Sequence, residues 1–207
     1  VHKTFISYHH KNEQDLKNEI IEKFGGEDFI DSAVADGEIN TDLSEDEIMR
    51  IIREDYLHNS TVTVVLVGWE TAQRPYVNSE IQASLRDTSK NKHNGLLAVI
   101  RDDLYNDIYT SGTCSDCGGV VRNRNSTFYE YYIPNLIKKN HTYYGDKCHY
   151  NSKDIYCAVV KYSNFISNPE FYIDEAFDKR DNDLLAIKKI PDEGTPRIGK
   201  NKSKSFK

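Results

Sequence analysis

Apolar and polar positions change rhythm several times along the first hundred residues, and each change predicts an element. Thr4-Phe5-Ile6-Ser7-Tyr8 reads as a short strand. Asn12 is placed to cap a helix in which Leu16, Ile20, Ile21 and Phe24 recur at helical spacing, and Gly25-Gly26 stops it. Phe29 and Ile30 suggest a second short strand, followed by a polar loop from Ser32 to Asp42. Ser44 with Glu47 three residues later forms a capping box, and Ile48, Ile51, Ile52 and Tyr56 give the next helix its expected apolar stripe. Thr61 to Gly68 is β-branched and apolar nearly throughout, as at the centre of a parallel sheet. Pro75 suits a first helical position, with Val77, Ile81, Ser84 and Leu85 on one face of a helix running to about Asp87. Leu96 to Ile100 supplies a fourth strand.

Beyond Arg101 the pattern loosens into a polar stretch with Gly112, Gly118 and Gly119, read as an insertion. Order returns with a strand from Ile155 to Val160 and a helix from Asn168-Pro169-Glu170 to about Asp178, with Phe171, Ile173 and Phe177 as its apolar contacts. Alternating strands and helices predict an α/β fold, a mostly parallel sheet with helices on both faces. No internal repeat or linker divides the chain, so residues 1–207 are expected to form one domain, with a decorated C-terminal half.

Composition narrows the function. The 207 residues are 38% hydrophobic and 29% charged, and the longest apolar run, Val62 to Val67, is too short to span a bilayer. Val1-His2-Lys3-Thr4 leads straight into a strand without the apolar core of a signal peptide, so a soluble cytoplasmic protein is expected. Against 27 basic side chains stand 33 acidic ones, a formal charge of -6 that disfavours a nucleic-acid partner. The basic concentration from Lys188 to Lys207, with Lys200, Lys202, Lys204 and Lys207, reads as a solvated tail.

Of the 4 cysteines, Cys157 lies in an apolar run and reads as a small core residue. Cys114-Ser115-Asp116-Cys117 has the spacing of half a zinc site, with Cys148 and His149 as conceivable partners, but a second tight pair is missing. Reduced thiols without a metal are therefore the expectation, and zinc the alternative.

In a parallel sheet, ligands bind beyond the carboxyl ends of the strands. Three predicted loops meet there: Ser7 to His10, Ser32 to Asp42, and Gly68 to Tyr76. The last enters the helix on which Tyr76 and Glu80, four residues apart, share a face near the N-terminus and could bracket a sugar. Taken alone, Glu80 is a surface carboxylate favoured by the helix dipole, Tyr76 a packing residue, and His9 and His10 solvated loop histidines. No glycine-rich phosphate loop follows the first strand, which disfavours a Rossmann dehydrogenase, and no Ser-His-Asp order or metalloprotease helix is visible.

Three segments together change those readings: Thr4-Phe5-Ile6-Ser7-Tyr8-His9, Asn59 to Gly68, and Arg74-Pro75-Tyr76-Val77-Asn78-Ser79-Glu80-Ile81. They resemble the TIR-like family that includes the Toll/interleukin-receptor-like signalling protein of Thoeris antiphage systems. The pattern is an aromatic-Ser-aromatic end to strand one, an apolar strand ending in Gly, then an aromatic residue four before a Glu. It covers roughly residues 3–104, leaving 105–207 as a family-specific insertion and completion of the fold. The resemblance implies a flavodoxin-like fold that binds NAD⁺ and cleaves its nicotinamide-ribose bond, often forming a cyclic ADP-ribose signal, with NAD⁺ as substrate and no separate cofactor. Carried over, Glu80 matches the catalytic glutamate, while Phe5, Ser7, Tyr8 and His9 match the pocket-forming end of strand one. Tyr76 stands where the family usually has Trp. The loop Ser32 to Asp42 corresponds to the family's mobile assembly loop. A separate effector that reads the product and a homo-oligomeric enzyme are also expected. The rival reading is a non-enzymatic TIR-like assembly module.

Overall fold

The computed structural model describes residues 2–25, 29–30, 34 and 37–199. The chain runs β1 (Thr4–Ser7), α1 (Gln14–Phe24), β2 (Phe29–Ile30), α2 (Glu45–Ile51), β3 (Val62–Val67), α3 (Pro75–Ser84) and β4 (Gly95–Ile100). The second half adds α4 (Asp102–Ile108), β5 (Tyr109–Thr113), β6 (Val120–Arg124), α5 (Ser126–Tyr132), α6 (Asn135–Asn140), β7 (Ala158–Lys161), α7 (Tyr162–Ser167) and α8 (Pro169–Asp178). Five strands form one sheet in the order β2-β1-β3-β4-β7, every neighbouring pair parallel. With helices around it, this is the mostly parallel α/β sheet that the alternating pattern implied, in the flavodoxin-like arrangement that the TIR-like resemblance implied. Strand β7 comes from the second half, so residues beyond 105 complete the sheet.

Each strand of the centre is buried on both faces. Val65 and Val67 meet Val77 and Ile81 of α3 on one side, in a core that continues through Leu104, Ile108, Tyr129, Leu136 and Ile137. Val62, Val64 and Leu66 point the other way, to Leu16 and Ile20 of α1 and Phe165, Ile173 and Ala176 of α7 and α8. That is the period-2 alternation of a strand covered on both faces, and it explains why β3 and β4 read as unbroken apolar runs.

Several boundaries differ from the sequence pattern. Asn12 does not cap α1: Glu13 occupies that position without a side-chain bond, because the His9 carbonyl already accepts from both Asn12 and Glu13 N–H groups. The capping box at Ser44 forms as expected, with the Ser44 side chain accepting from Glu47 N–H and the Glu47 side chain from Ser44 N–H. Helix α2 then continues into a wider π-helical turn over Ile52–Tyr56, and its buried positions are Ile48, Met49, Ile52 and Arg53 rather than Ile51 and Tyr56. Arg53 is fully enclosed and donates to Leu57 O at 3.2 Å, Asn94 Oδ1 at 3.0 Å and Lys92 O, binding α2 to the start of β4 through carbonyls rather than through an acid.

Residues 102–140 hold three short helices and an antiparallel hairpin instead of a loose loop. Residues Ile155 to Cys157 precede β7 rather than belong to it: the Tyr156 hydroxyl donates to Asn94 O at 2.5 Å and Cys157 N–H to Asn140 O at 2.9 Å. Cys157 is fully buried, as its apolar run suggested, whereas Phe171 is exposed. The basic tail is only partly as expected. Arg197 and Ile198 are buried, with Ile198 N–H donating to Ser79 Oγ at 3.0 Å and Arg197 paired with Glu45, so this stretch packs beside α3. Lys200 to Lys207 lie outside the described residues. Among the described residues no helix is long and apolar enough to cross a membrane.

Candidate active site

Strand order reverses at β1: the chain passes from β1 outward to β2, then returns to β3 on the opposite side. In open parallel sheets such a switch point is where ligands bind, beyond the carboxyl ends of the two strands, which here are Ser7 and the Val67-Gly68 end of β3.

Alternation along β1 decides what reaches each side. Phe5 faces the α2 and α3 side, where it packs with Ile48, Ile52 and Ala83. Ser7, two residues on, shares that face and donates from Oγ to Glu80 Oε2 at 2.5 Å. The other oxygen, Glu80 Oε1, accepts from Val34 N–H at 2.9 Å. Glu80 is therefore not the surface carboxylate that its position in the first half of a helix suggested: it is 1% exposed. Helix α3 is wedged between the sheet, α2 and the returning C-terminal stretch, so Asn78, Ser79 and Ser84 are buried as well. Burial raises the Glu80 carboxyl from 4.5 to about 7, against the bonds from Ser7 and Val34, which lower it. At neutral pH the group stands close to its midpoint, able to hold or release a proton.

Tyr76 lies one turn before Glu80, partly buried against the Phe5 cluster, and its hydroxyl accepts from Gly37 N–H at 3.2 Å. The segment Ser32 to Asp42 thus meets the site at two described points, Val34 and Gly37; Ser32, Ala33, Ala35 and Asp36 lie outside the described residues.

Tyr8 and His9 do not join this group. Tyr8 falls on the opposite face with Ile6, donating to Gln14 Oε1 of α1 at 3.0 Å and stacking on His10. The same alternation that brings Phe5 and Ser7 to Glu80 sends Ile6 and Tyr8 away. His9 is mostly buried rather than solvated, with Nδ1 4.0 Å from Glu70. Burial first, then Arg74, lowers its pKa, which keeps it neutral at physiological pH.

A second buried acid went unnoticed in the sequence. Glu13 is enclosed at the start of α1, with Oε2 accepting from Thr71 Oγ1 at 3.2 Å and Oε1 without a hydrogen-bond partner among the described residues. Burial raises it from 4.5 to about 7. Gly68 makes room for it: a Cβ there would lie 2.0 Å from Glu13 Oε1. The glycine ending β3 is the one sequence signal for this acid, and it reads equally as a turn residue.

The ends of β1 and β3 thus carry two buried, protonatable carboxyl groups on opposite sides of the strand pair. Glu80, with a hydroxyl and a backbone N–H on its oxygens, can exchange those donors for hydroxyls of a bound sugar and can place negative charge beside a cation. Residues 5–105 match the family described as the TIR-like domain of Thoeris protein ThsB. That span contains β1 to β4, α1 to α3, and with them Ser7, Tyr76 and Glu80. Residues 5–105, just under half of the chain, thus form a TIR-like domain similar to that of Thoeris protein ThsB.

Proposed function

We propose that this chain cleaves the nicotinamide-ribose bond of NAD⁺, with Glu80 as the catalytic carboxylate, and that the ADP-ribose product, cyclic or linear, is a second messenger in Thoeris antiphage signalling. The observation that carries the reading is the buried Glu80 carboxyl held by Ser7 beside the switch point. The family match supports the signalling role.

The chemistry suits one acid. Nicotinamide departs as a neutral molecule from a cationic N-riboside, so positive charge moves onto the ribose and the transition state resembles an oxocarbenium ion. A preoriented negative charge lowers that barrier most effectively where water is excluded. The incoming pyridinium also favours the ionised form of a carboxyl poised near neutrality, drawing the Glu80 proton off as the substrate binds. Ribose hydroxyls would take over the hydrogen bonds now given by Ser7 and Val34. Phe5 supports the strand end from behind, Tyr76 offers a ring one turn away, and Tyr8 and His9 flank the site from the outer rim of β1. Capture of the ribosyl cation by a nucleophile on the adenosine half closes a ring; capture by water gives the linear product. NAD⁺ is consumed as substrate, no other cofactor is required, and a separate cytoplasmic effector reads the product. Copies of the chain assemble into the active form.

Incubating the purified chain with NAD⁺ and following nicotinamide and ADP-ribose species by mass spectrometry tests this. The wild type is expected to release nicotinamide and Glu80→Gln to release none; equal turnover by both, or by neither under assembling conditions, refutes it. One observation favours a second reading. Both Glu80 oxygens are already engaged by the protein, as in a structural acid of a non-enzymatic assembly module. Under that reading Glu80→Gln keeps phage protection, whereas loss of protection with assembly intact supports the enzyme.

A further inference from the structure

The hairpin β5–β6 turns through Cys114 to Gly119, and its tip meets the stretch that precedes β7. We propose that Cys114, Cys117, Cys148 and His149 form a closed structural zinc site that staples this hairpin to residues 141–151. The sequence pattern left zinc aside because Cys114-Ser115-Asp116-Cys117 had no second pair of the same kind. The fold supplies it as an adjacent Cys-His pair.

The ligand atoms of all four residues lie within 4.8 Å of one another. Cys117 Sγ is 3.5 Å and Cys148 Sγ 3.4 Å from His149 Nδ1. Tetrahedral zinc bonded at about 2.3 Å to sulfur and about 2.0 Å to nitrogen sets neighbouring ligand atoms roughly 3.5–3.8 Å apart, so both Cys–His149 distances fit the ion, and the widest separations close by about 1 Å on binding. The turn between the first two cysteines is built to present sulfur. Gly118 takes a φ of +72°, its N–H donates to Cys114 O at 2.9 Å, and Cys114 N–H donates to Gly119 O at 2.8 Å. Gly119 N–H then points to Cys117 Sγ at 3.4 Å, and a side chain at Gly119 would press within 3.3 Å of both that sulfur and the His149 ring. Backbone N–H groups aimed at a thiolate are the outer support that holds a metal-bound sulfur in place.

Chemistry selects the ion. Three sulfurs and one imidazole are a borderline-soft set that suits tetrahedral zinc, and four protein ligands leave no open position, which makes the site structural rather than catalytic. A disulfide would use two of the three thiols and leave the third and His149 without a purpose; all of them are free here. The fourth cysteine, Cys157, is fully buried just before β7 and is not among the clustered ligands.

The fold also gives the staple something to do. Residues 141–151 form neither helix nor strand, and their contacts include His141 Nδ1 on Cys157 O at 2.9 Å, Tyr143 stacked on Tyr150, and Lys147 and Asn151 on Asp154. A segment of that length without secondary structure needs another constraint to hold one course. The hairpin, mostly exposed along both strands, needs the same.

The test is elemental analysis of the full chain purified without chelator from zinc-supplemented culture, followed by cobalt titration of the chelator-stripped, reduced protein. One zinc per chain is expected. Cobalt should give tetrahedral d–d bands with sulfur-to-metal charge transfer, and zinc should bleach both. Cys117→Ser and Cys148→Ser should lose stoichiometric zinc, while Cys157→Ala keeps it. The cobalt spectrum of the unsubstituted chain makes the result independent of whether any variant folds. A reduced wild type that binds neither metal overturns the proposal, as does a cobalt spectrum unchanged by Cys148→Ser.

Discussion

Replacing Glu80 by Gln should stabilise the protein, and by an amount that grows with pH. The substitution keeps the shape of the side chain. Its carbonyl can accept from Val34 N–H, and its amide can donate to Ser7 Oγ once that hydroxyl rotates from donor to acceptor. What it removes is a titration. In the folded chain the Glu80 carboxyl sits at about 7, above its ordinary 4.5, because burial disfavours the charged form. Between those values the folded protein holds a proton that the unfolded chain has released, so wild-type stability falls as pH rises through the window. At about 1.4 kcal/mol for each pH unit, the accumulated penalty above pH 7 is about 3 kcal/mol. Glutamine carries no such penalty. The variant and wild type should therefore differ little near pH 4.5 and diverge steadily until, at pH 8, the variant is the more stable by about 3 kcal/mol, equivalent to roughly 6–12 °C in melting temperature for a domain of this size. Urea unfolding at a series of pH values, followed by the fluorescence of the single Trp69, measures the difference directly. A difference that stays flat from pH 5 to 8, or that favours the wild type at pH 8, would mean that the carboxyl titrates as an ordinary exposed glutamate, and the buried site would be refuted with it.

Ser7→Ala removes the bond that holds the Glu80 pKa down, so the pH at which nicotinamide release reaches half its plateau should move upward from about 7, with kcat/KM reduced at neutral pH. A pH-rate profile with an unchanged midpoint would contradict it. Arg53→Met leaves Leu57 O, Lys92 O and Asn94 without their donor and should cost about 3 kcal/mol or more, seen as a lower urea midpoint. Arg53→Lys should recover only part of this, since one ammonium lacks the planar fork that reaches them all; full recovery would show that charge alone matters. Glu13→Gln should raise stability above pH 7 much as Glu80→Gln does, yet leave nicotinamide release near the wild-type rate, and a loss of turnover equal to that of Glu80→Gln would assign the chemistry to the wrong acid.

The central sheet was legible because β3 and β4 are buried on both faces and so contain little but apolar residues, and because the Ser44 capping box and Pro75 mark helix starts by local chemistry alone. The second half was not. Its helices α4 to α6 span six or seven residues, too few for a 3.6-residue period to declare itself, and hairpin β5–β6 exposes most of both strands, so neither face is marked by apolar side chains. The site divides in the same way. Tyr76 and Glu80 could be placed on one helical face from their spacing, and Ser7 at a strand end, but nothing local to α3 reveals that Asn78, Ser79 and Glu80 are buried. Ser79 lies under Ile198, more than a hundred residues away in sequence, Glu80 under Ser7 and Val34, and Asn78 against Ala72 O. Polar residues under such a cover look like a solvated face until the cover is seen.

The ends of β1 and β3 hold two buried acids, both raised to about 7, so burial by itself does not favour one of them for the proposed chemistry. Their surroundings do distinguish them. Glu13 faces Thr71 and the space left by Gly68, with Arg101 close enough that its charge favours the ionised form, and the Arg101 guanidinium is in turn tied to Asn12 O and Asp15. A cation arriving there would have to compete with a resident one. On the other side of the sheet, the Glu80 carboxyl accepts from a serine hydroxyl and a backbone N–H, and among the described residues no positive side chain is a cause of its pKa shift. A buried carboxyl without a counter-ion is costly to keep in a fold and gains most from a cationic ligand. That demand for positive charge, rather than the depth at which the group lies, is what supports proposing Glu80 over Glu13 for oxocarbenium chemistry.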